Sequence, residues 1–282
     1  MKIDTLNLKS ARALIPKRDP FGHKGTFGKV LLLCGSRGFT GAPWFASMGA
    51  LRSGTGVVYL GVPDCIYNIE AMKLNEPVIY PLPDAGGKFS TQAVAAIQER
   101  LSQVQAVLIG CGLGQSQGTR ELTKAVLQKA DCPVVVDADG INVLSWHKDI
   151  LRRRTAPTIL TPHDWEFVRL GGELTRDRMD SAGKLAWDLN SIVVLKGHET
   201  CITDGIRGYV NHTGNSGMAK GGSGDVLAGL ITGLLGQGMD PLQAAACGVL
   251  LHGAAADLCA QDMGEYSMLP TDYLEYLPRL LK

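Results

Sequence analysis

The chain has 282 residues, 45% of them hydrophobic, and 28 Lys and Arg against 27 Asp and Glu, for a formal net charge of +1. Such a chain can bury one large core or two modest ones, as expected of a soluble globular protein. The balanced charge gives no electrostatic case for a nucleic-acid or polyanion partner, so any phosphate chemistry belongs to a local site.

Met1 to Pro20 mixes charges with apolar residues and lacks the apolar run of a signal peptide, which leads us to expect a cytoplasmic protein. The cysteines are scattered, odd in number and without a Cys-x-x-Cys pair, as for reduced core residues rather than disulfides or a zinc site.

In chain order, residues 1–24 form an arm or first helix. Strands are predicted at Lys29 to Cys34, Gly56 to Val62, Ala106 to Gly110, Pro133 to Asp137, Thr158 to Leu160 and Ile192 to Leu195. Their runs are continuously apolar rather than alternating, the pattern of strands covered on both faces. Helices are predicted between them at Ala42 to Ser53, Thr91 to Leu101, Gly118 to Lys129, Asp164 to Leu170 and Asp177 to Leu189. Thr200 to Thr203 and Gly208 to Asn211 bracket Asp204-Gly205 as a hairpin, and two helices rich in small residues follow, Asp225 to Leu235 and Pro241 to Leu258. Leu242 to Ala260 is apolar enough to suggest a membrane span, but His252 and Asp257 interrupt it, so a buried helix and no membrane partner are expected. The alternation of β and α predicts an α/β fold over residues 1–282, one domain with a mainly parallel central sheet and helices on both faces. Ligands of such sheets bind at the carboxyl ends of the strands.

Polar and glycine-rich clusters follow several of these strands. Gly35 to Ala42 is a flexible lead into a helix that fits neither the Rossmann nor the P-loop spacing; it is either a phosphate or substrate loop or a plain connector. Gly110-Cys111-Gly112-Leu113-Gly114 lets a ligand approach the backbone. Asp137-Ala138-Asp139, near Asn142, can hold magnesium or a sugar hydroxyl, or else cap the next helix. Thr161-Pro162-His163 places His163 at a strand exit with Glu166 one helical turn on, where a ligand role competes with a structural one. Lys196 to Thr200 puts a cation where a nucleotide can lie, or a solvated charge on the surface.

The most informative stretch is Asn215 to Asp225, in which four glycines and one carboxylate directly precede an apolar helix. Glycines turn successive N–H groups toward one point, and a helix start adds unpaired N–H groups and the positive end of its dipole. A carboxylate aimed at a phosphate is repelled unless it takes a proton from the attacking group or works beside a metal ion, so Asp225 points to phosphoryl transfer. The plain alternative is a glycine-rich turn with Asp225 as its N-cap.

Taken in order, His23-Lys24-Gly25, Gly41-Ala42-Pro43, Leu51-Arg52-Ser53-Gly54, Gly112-Leu113-Gly114, Asp137-Ala138-Asp139, Thr161-Pro162-His163, Lys196-Gly197 and Asn215 to Asp225 resemble the ADP- or ATP-dependent NAD(P)H-hydrate dehydratases of the ribokinase-like superfamily, in the form without an epimerase domain. The resemblance implies a lyase that repairs hydrated nicotinamide cofactors, NADHX and NADPHX. A nucleotide, ADP or ATP, converts the ring hydroxyl to a phosphate leaving group whose elimination restores NADH or NADPH. It implies Asp225 as catalytic base, and Ala42, Gly114, His163 and Asp225 against the hydrated cofactor. Lys196, Gly197, His198, Glu199 and Thr200 would line the nucleotide, with Asn215, Gly217, Met218, Ala219, Gly221, Gly222, Ser223 and Gly224 around its phosphates. Magnesium would assist, with Glu166 as a ligand acting through water, and the protein would be a homo-oligomer such as a tetramer. Lys220 stands where the family commonly has a small hydroxyl residue and Ser223 where it usually has threonine; Lys220 is expected to strengthen phosphate binding or alter nucleotide choice. A vitamin-precursor kinase of the same superfamily is the nearest alternative. His163-Asp164-Trp165-Glu166, where such kinases usually carry Asn-x-x-Glu, speaks against it. A non-catalytic nucleotide sensor is disfavoured by Asp225.

Overall fold

The computed structural model describes residues 1–281. Its strands are β1 (Lys2–Asp4), β2 (Lys29–Leu33), β3 (Val57–Pro63), β4 (Val78–Leu82), β5 (Asp84–Ala85), β6 (Lys88–Phe89), β7 (Ala106–Ile109), β8 (Val134–Val136), β9 (Thr158–Leu160), β10 (Ile192–Leu195), β11 (Cys201–Thr203) and β12 (Arg207–Val210). Ten of them make one sheet in the order β1-β12-β11-β10-β9-β8-β7-β2-β3-β4, while β5 and β6 form a separate hairpin. All pairings in the large sheet are parallel except those of the hairpin strand β11 with β10 and β12.

Successive strand residues face opposite sides, and both sides are covered. Val30, Leu32, Leu108, Val135 and Val194 pack with the helices Gly41–Arg52, Ser223–Gly236 and Pro241–Met263. Leu31, Leu33, Ile109, Val136 and Leu195 pack with Gln117–Lys129 and Arg178–Asp188. Pro241–Met263, with a mean hydropathy of 1.3, is long and apolar enough to cross a membrane, but 83% of its apolar window is buried inside the protein, as the small residues around His252 and Asp257 led us to expect.

Several elements differ from the sequence expectation, among them the hairpin β5–β6 and the helices Tyr67–Lys73, Asp149–Arg153, Pro270–Leu274 and Leu277–Leu280, which it did not anticipate. The arm of residues 1–24 is more than a helix lying on the domain: β1 joins the sheet beside β12, and Leu8–Leu14 is the helix, capped by Asn7. The strand β4 was not anticipated. Thr91 to Leu101 is two short helices, Ala93–Ala96 and Gln98–Leu101.

Small residues set the distance between the two helices that flank the glycine loop. A Cβ on Gly229 would lie 2.0 Å from the backbone oxygen of Ala46, and one on Gly49 2.3 Å from that of Val226. Gly229→Ala gains about 1 kcal/mol of helix propensity, but the clash is with backbone and cannot be relieved by a rotamer change. We expect a net loss of about 1–3 kcal/mol, the range for overpacking, read as a lower urea midpoint at unchanged m-value.

Candidate active site

The sheet register sets the floor of the site. Leu33, Ile109, Val136 and Leu160 are partners across β2, β7, β8 and β9, so Cys34, Cys111, Asp137 and Thr161 leave the sheet at one edge. Lys196 follows β10 and donates its backbone N–H to Pro162 O at 2.9 Å. Asp137, 2% exposed, accepts from Thr161 Oγ1 at 2.6 Å and Lys196 Nζ at 2.8 Å, both at Oδ1. Lys196 Nζ also lies 4.0 Å from Glu166 Oε2, so one ammonium serves two buried carboxylates. Burial works to lower the Lys196 pKa, but Asp137 and Glu166 outweigh it and the amine is held above its usual range. Burial raises Glu166, with Lys196 opposing and Asp137 reinforcing.

The carboxylates after β8 do not cap the next helix. Ala138, at φ 48°, is the N-cap of Asp139–Leu144 and makes no side-chain cap bond. Asp139 accepts the Gly114 N–H at 2.8 Å, fastening the glycine loop after β7 to the floor. Gly112 faces Ala42, to whose side chain its Cβ would come within 2.8 Å. His163 has the structural role offered by the sequence. It is the N-cap of Asp164–Arg169, its Nδ1 accepting from Trp165 N at 3.2 Å, and it also lines the cavity described below. Glu166 completes the capping box by accepting the His163 N–H at 2.9 Å.

Asp225 is not an N-cap. The helix begins at Ser223, two residues before the expected start, with Gly222 as the cap at φ 96°. A side chain there would be strained by that φ and would strike the Phe45 ring at 2.5 Å. Asp225 therefore sits in the first turn. Its carboxylate, Cys111 Sγ and an Asp137 oxygen all lie within 4.8 Å of one another. Burial, and then the charge of Asp137, push Asp225 up to about 7, against the pull of Cys111 and Lys196. A carboxylate poised there is matched to proton abstraction near neutral pH.

Beside this floor opens a cavity of about 950 Å³, at the upper end for a small-molecule site. Its walls include His163, the whole of Lys196 to Thr200, and Asn215, Met218, Ala219, Gly221, Ser223 and Gly224. Other expected residues lie outside these walls. Gly217 is packed against Met268 and the Glu265 carbonyl, and Gly222 against Phe45. Ala42, Gly114, Glu166 and Asp225 sit beyond the cavity lining. Gly224 links the two regions, since a Cβ on it would lie 3.5 Å from Lys196 Nζ and 3.8 Å from Asp137 Oδ2. The backbone N–H groups of Gly221 and Gly222 have no backbone partner among the described residues, which leaves them available to an anion.

Several wall residues escaped the sequence reading. Asn211, His212, Thr213, Leu227, Val249 and His252 line the cavity. His252 is 5% exposed, and burial, followed by the charge of Lys196, lowers it to about 4, so it is neutral. Its one sequence signal was a histidine interrupting an apolar helix. Asp257, the other interruption, accepts from Gly214 N at 2.8 Å and Asn215 Nδ2 at 2.9 Å and so holds the entry to the glycine loop. Lys220 does not face the cavity freely: its Nζ donates to Tyr266 O at 2.9 Å and Met268 O at 2.5 Å.

The fold is ribokinase-like. A ribokinase-like superfamily protein from Enterococcus faecalis superposes with a TM-score of 0.86 at 26% identity, over 99% of this chain and 95% of that one. A profile of the NAD(P)H-hydrate dehydratase family matches residues 30–279, and the chain belongs to that family. The bifunctional NAD(P)H-hydrate repair enzyme of Moorella thermoacetica is 42% identical over 96% of this chain. The chain spans about half the length of that relative, 52%. The ADP/ATP-dependent NAD(P)H-hydrate dehydratase of Bacillus subtilis, co-crystallized with ATP/Mg2+, is 33% identical with a TM-score of 0.83, and here 98% of the relative is covered.

Proposed function

We propose that this protein is a nucleotide-dependent hydro-lyase that dehydrates the (S)-hydrates of NADH and NADPH. The observation that carries the chemistry is Asp225, a half-buried carboxyl held near 7 at the start of a helix and beside a glycine-rich anion loop. Asp225 takes the proton of the ring hydroxyl as that oxygen attacks the terminal phosphoryl group; an O–P bond to the hydrated ring forms as the O–P bond to the shortened nucleotide breaks. The C–O bond to the new phosphate ester then breaks, inorganic phosphate leaving with the electron pair, and the neighbouring ring carbon gives up a proton to the departing phosphate or to water as the ring double bond returns.

The nucleotide lies in the 950 Å³ cavity along Lys196 to Thr200, with its phosphates on the Gly221 to Gly224 turn and the helix start. The hydrated cofactor lies against Ala42, Gly114 and His163. The N–H groups of the turn are fixed before reaction, so they stabilise charge on the transferred oxygens without reorganising. Lys196 offsets the charge of Asp137 and Glu166 below them. A hard cation fits this floor, because Glu166 is a buried carboxylate whose charge Lys196 only partly offsets. Glu166 would hold magnesium through water, and magnesium would supply charge neutralisation between the phosphates. A cytoplasmic homo-oligomer without nucleic-acid or membrane partners belongs to the same reading.

Recovery of reduced-nicotinamide absorbance from hydrated NADH or NADPH, dependent on magnesium and on ADP or ATP, tests the proposal. Binding of nucleotide without any recovery would sink it and favour the kinase alternative, for which ADP release with vitamin-precursor alcohols is the assay.

A further inference from the structure

We propose that Lys220 is a positioning residue that aims the Gly221 and Gly222 N–H groups, rather than a ligand of the phosphate itself. This inference rests on the reading of that turn as the phosphoryl site. An ammonium has three donors, and Lys220 spends two on the carbonyls of Tyr266 and Met268, at 2.9 and 2.5 Å. Both acceptors belong to the segment that follows Pro241–Met263, where Gly264, at φ 77°, ends the helix.

A second pin joins the same two segments. Ser216 Oγ donates to Glu265 Oε2 at 2.5 Å, and Gly217 is packed so closely on this segment that a Cβ would lie 2.5 Å from Met268 Sδ and 2.6 Å from the Glu265 carbonyl oxygen. The glycine turn is thus fixed at Ser216, the first residue of the short helix Ser216–Met218, and at Lys220, two residues past its end. Gly221 and Gly222 come directly after the second pin. Gly221 has no side chain and a Cβ on it would meet nothing within 4 Å, so the direction of its N–H and of the one that follows depends on Lys220 on one side and on Gly222, held as the helix cap, on the other.

The two roles predict different kinetics. A phosphate ligand replaced by methionine weakens nucleotide binding in proportion to the phosphates carried, ATP more than ADP and AMP least, and the loss is screened by salt. A positioning residue replaced by methionine misaims donors at the transferring group, where a displacement of order 1 Å lowers rate about 100-fold. Lys220→Met is therefore expected to lower kcat by about 10- to 100-fold while ADP and ATP affinities fall by the same small factor. Lys220→Arg, whose fork can also serve two carbonyls, restores most of the rate. Ser216→Ala, which releases the other pin, lowers kcat in the same direction.

Amide hydrogen exchange in the nucleotide-bound protein reads the clamp without any repair assay. Faster exchange at residues 217–224 and 264–269 together in Lys220→Met, with the core helices unchanged, supports the proposal even in a protein with no repair activity. Unchanged exchange in both segments, or an affinity loss graded by phosphate number at unchanged kcat, overturns it.

Discussion

Replacing Asp225 by Asn is expected to lower turnover by about two to four orders of magnitude, the range for a lost general base, while nucleotide affinity measured by calorimetry stays near that of the parent. The same change is expected to stabilise the fold at neutral and alkaline pH. Folding raises Asp225 from an ordinary 3.8 to about 7, chiefly through burial and then through Asp137, so its charge is a burden on the native state. The stability that this group contributes is fully present below pH about 4 and is lost as pH rises through about 7. Asn carries no such charge. Asn and Asp proteins should therefore unfold at the same denaturant concentration at pH 4 and diverge by up to about 2–4 kcal/mol at pH 8, with Asn the more stable. In the parent, kcat/KM should rise with pH through a limb near 7, because only the ionised carboxylate accepts the proton. A variant equally active, or one less stable than the parent at pH 8, would remove Asp225 from its role.

If Asp225 is the base proposed above, a trade between stability and activity gives the physical sense of placing an aspartate in the first turn of a helix walled by apolar residues. It was legible in part. The glycine run and the carboxylate after it point to an anion site or to a plain capped turn, and the apolar runs of β2, β7, β8, β9 and β10 give the parallel sheet because strands covered on both faces need no polar alternation. What the sequence could not give is who neutralises whom. Lys196 and Asp137 lie far apart in the chain and meet only because β8, β9 and β10 are neighbours in register. Lys196 read equally well as a surface charge, and Asp137 as a helix cap. The edge strands were missed for a related reason. β4 carries Pro81, which argues against a strand in the middle of a sheet and is tolerated at its edge, where β4 lies. β1 is three residues, Lys-Ile-Asp, with no pattern of its own. Lys220 could not be placed from the sequence either: it lines the cavity, yet its ammonium also donates to two carbonyls of the segment after the long helix, which only the folded chain brings near.

The pairing at the floor makes Lys196→Met the second large effect. Removing one partner of a buried ion pair leaves the other charge uncompensated and costs about 3–5 kcal/mol; with the Lys196 side chain 21% exposed and that of Asp137 3% exposed, the lower end applies. Thr161 would remain as the donor to Asp137 at 2.6 Å, softening the loss without replacing the charge. Activity should fall as well, and in a diagnostic way. Lys196 helps to hold Asp225 down, so its removal should move the alkaline-rising limb of kcat/KM to higher pH. A phosphate contact alone would lower affinity and leave that limb in place. The double variant Lys196→Met with Asp137→Asn separates the two contributions to stability. Once Asp137 is neutral there is no orphaned charge, and most of the lost stability should return even though no ion pair is restored. The Asp225 limb should also move back down, because Asp137 is the largest charge raising it. Strictly additive losses in the double variant would mean that Lys196 acts on the fold through something other than the carboxylate it touches.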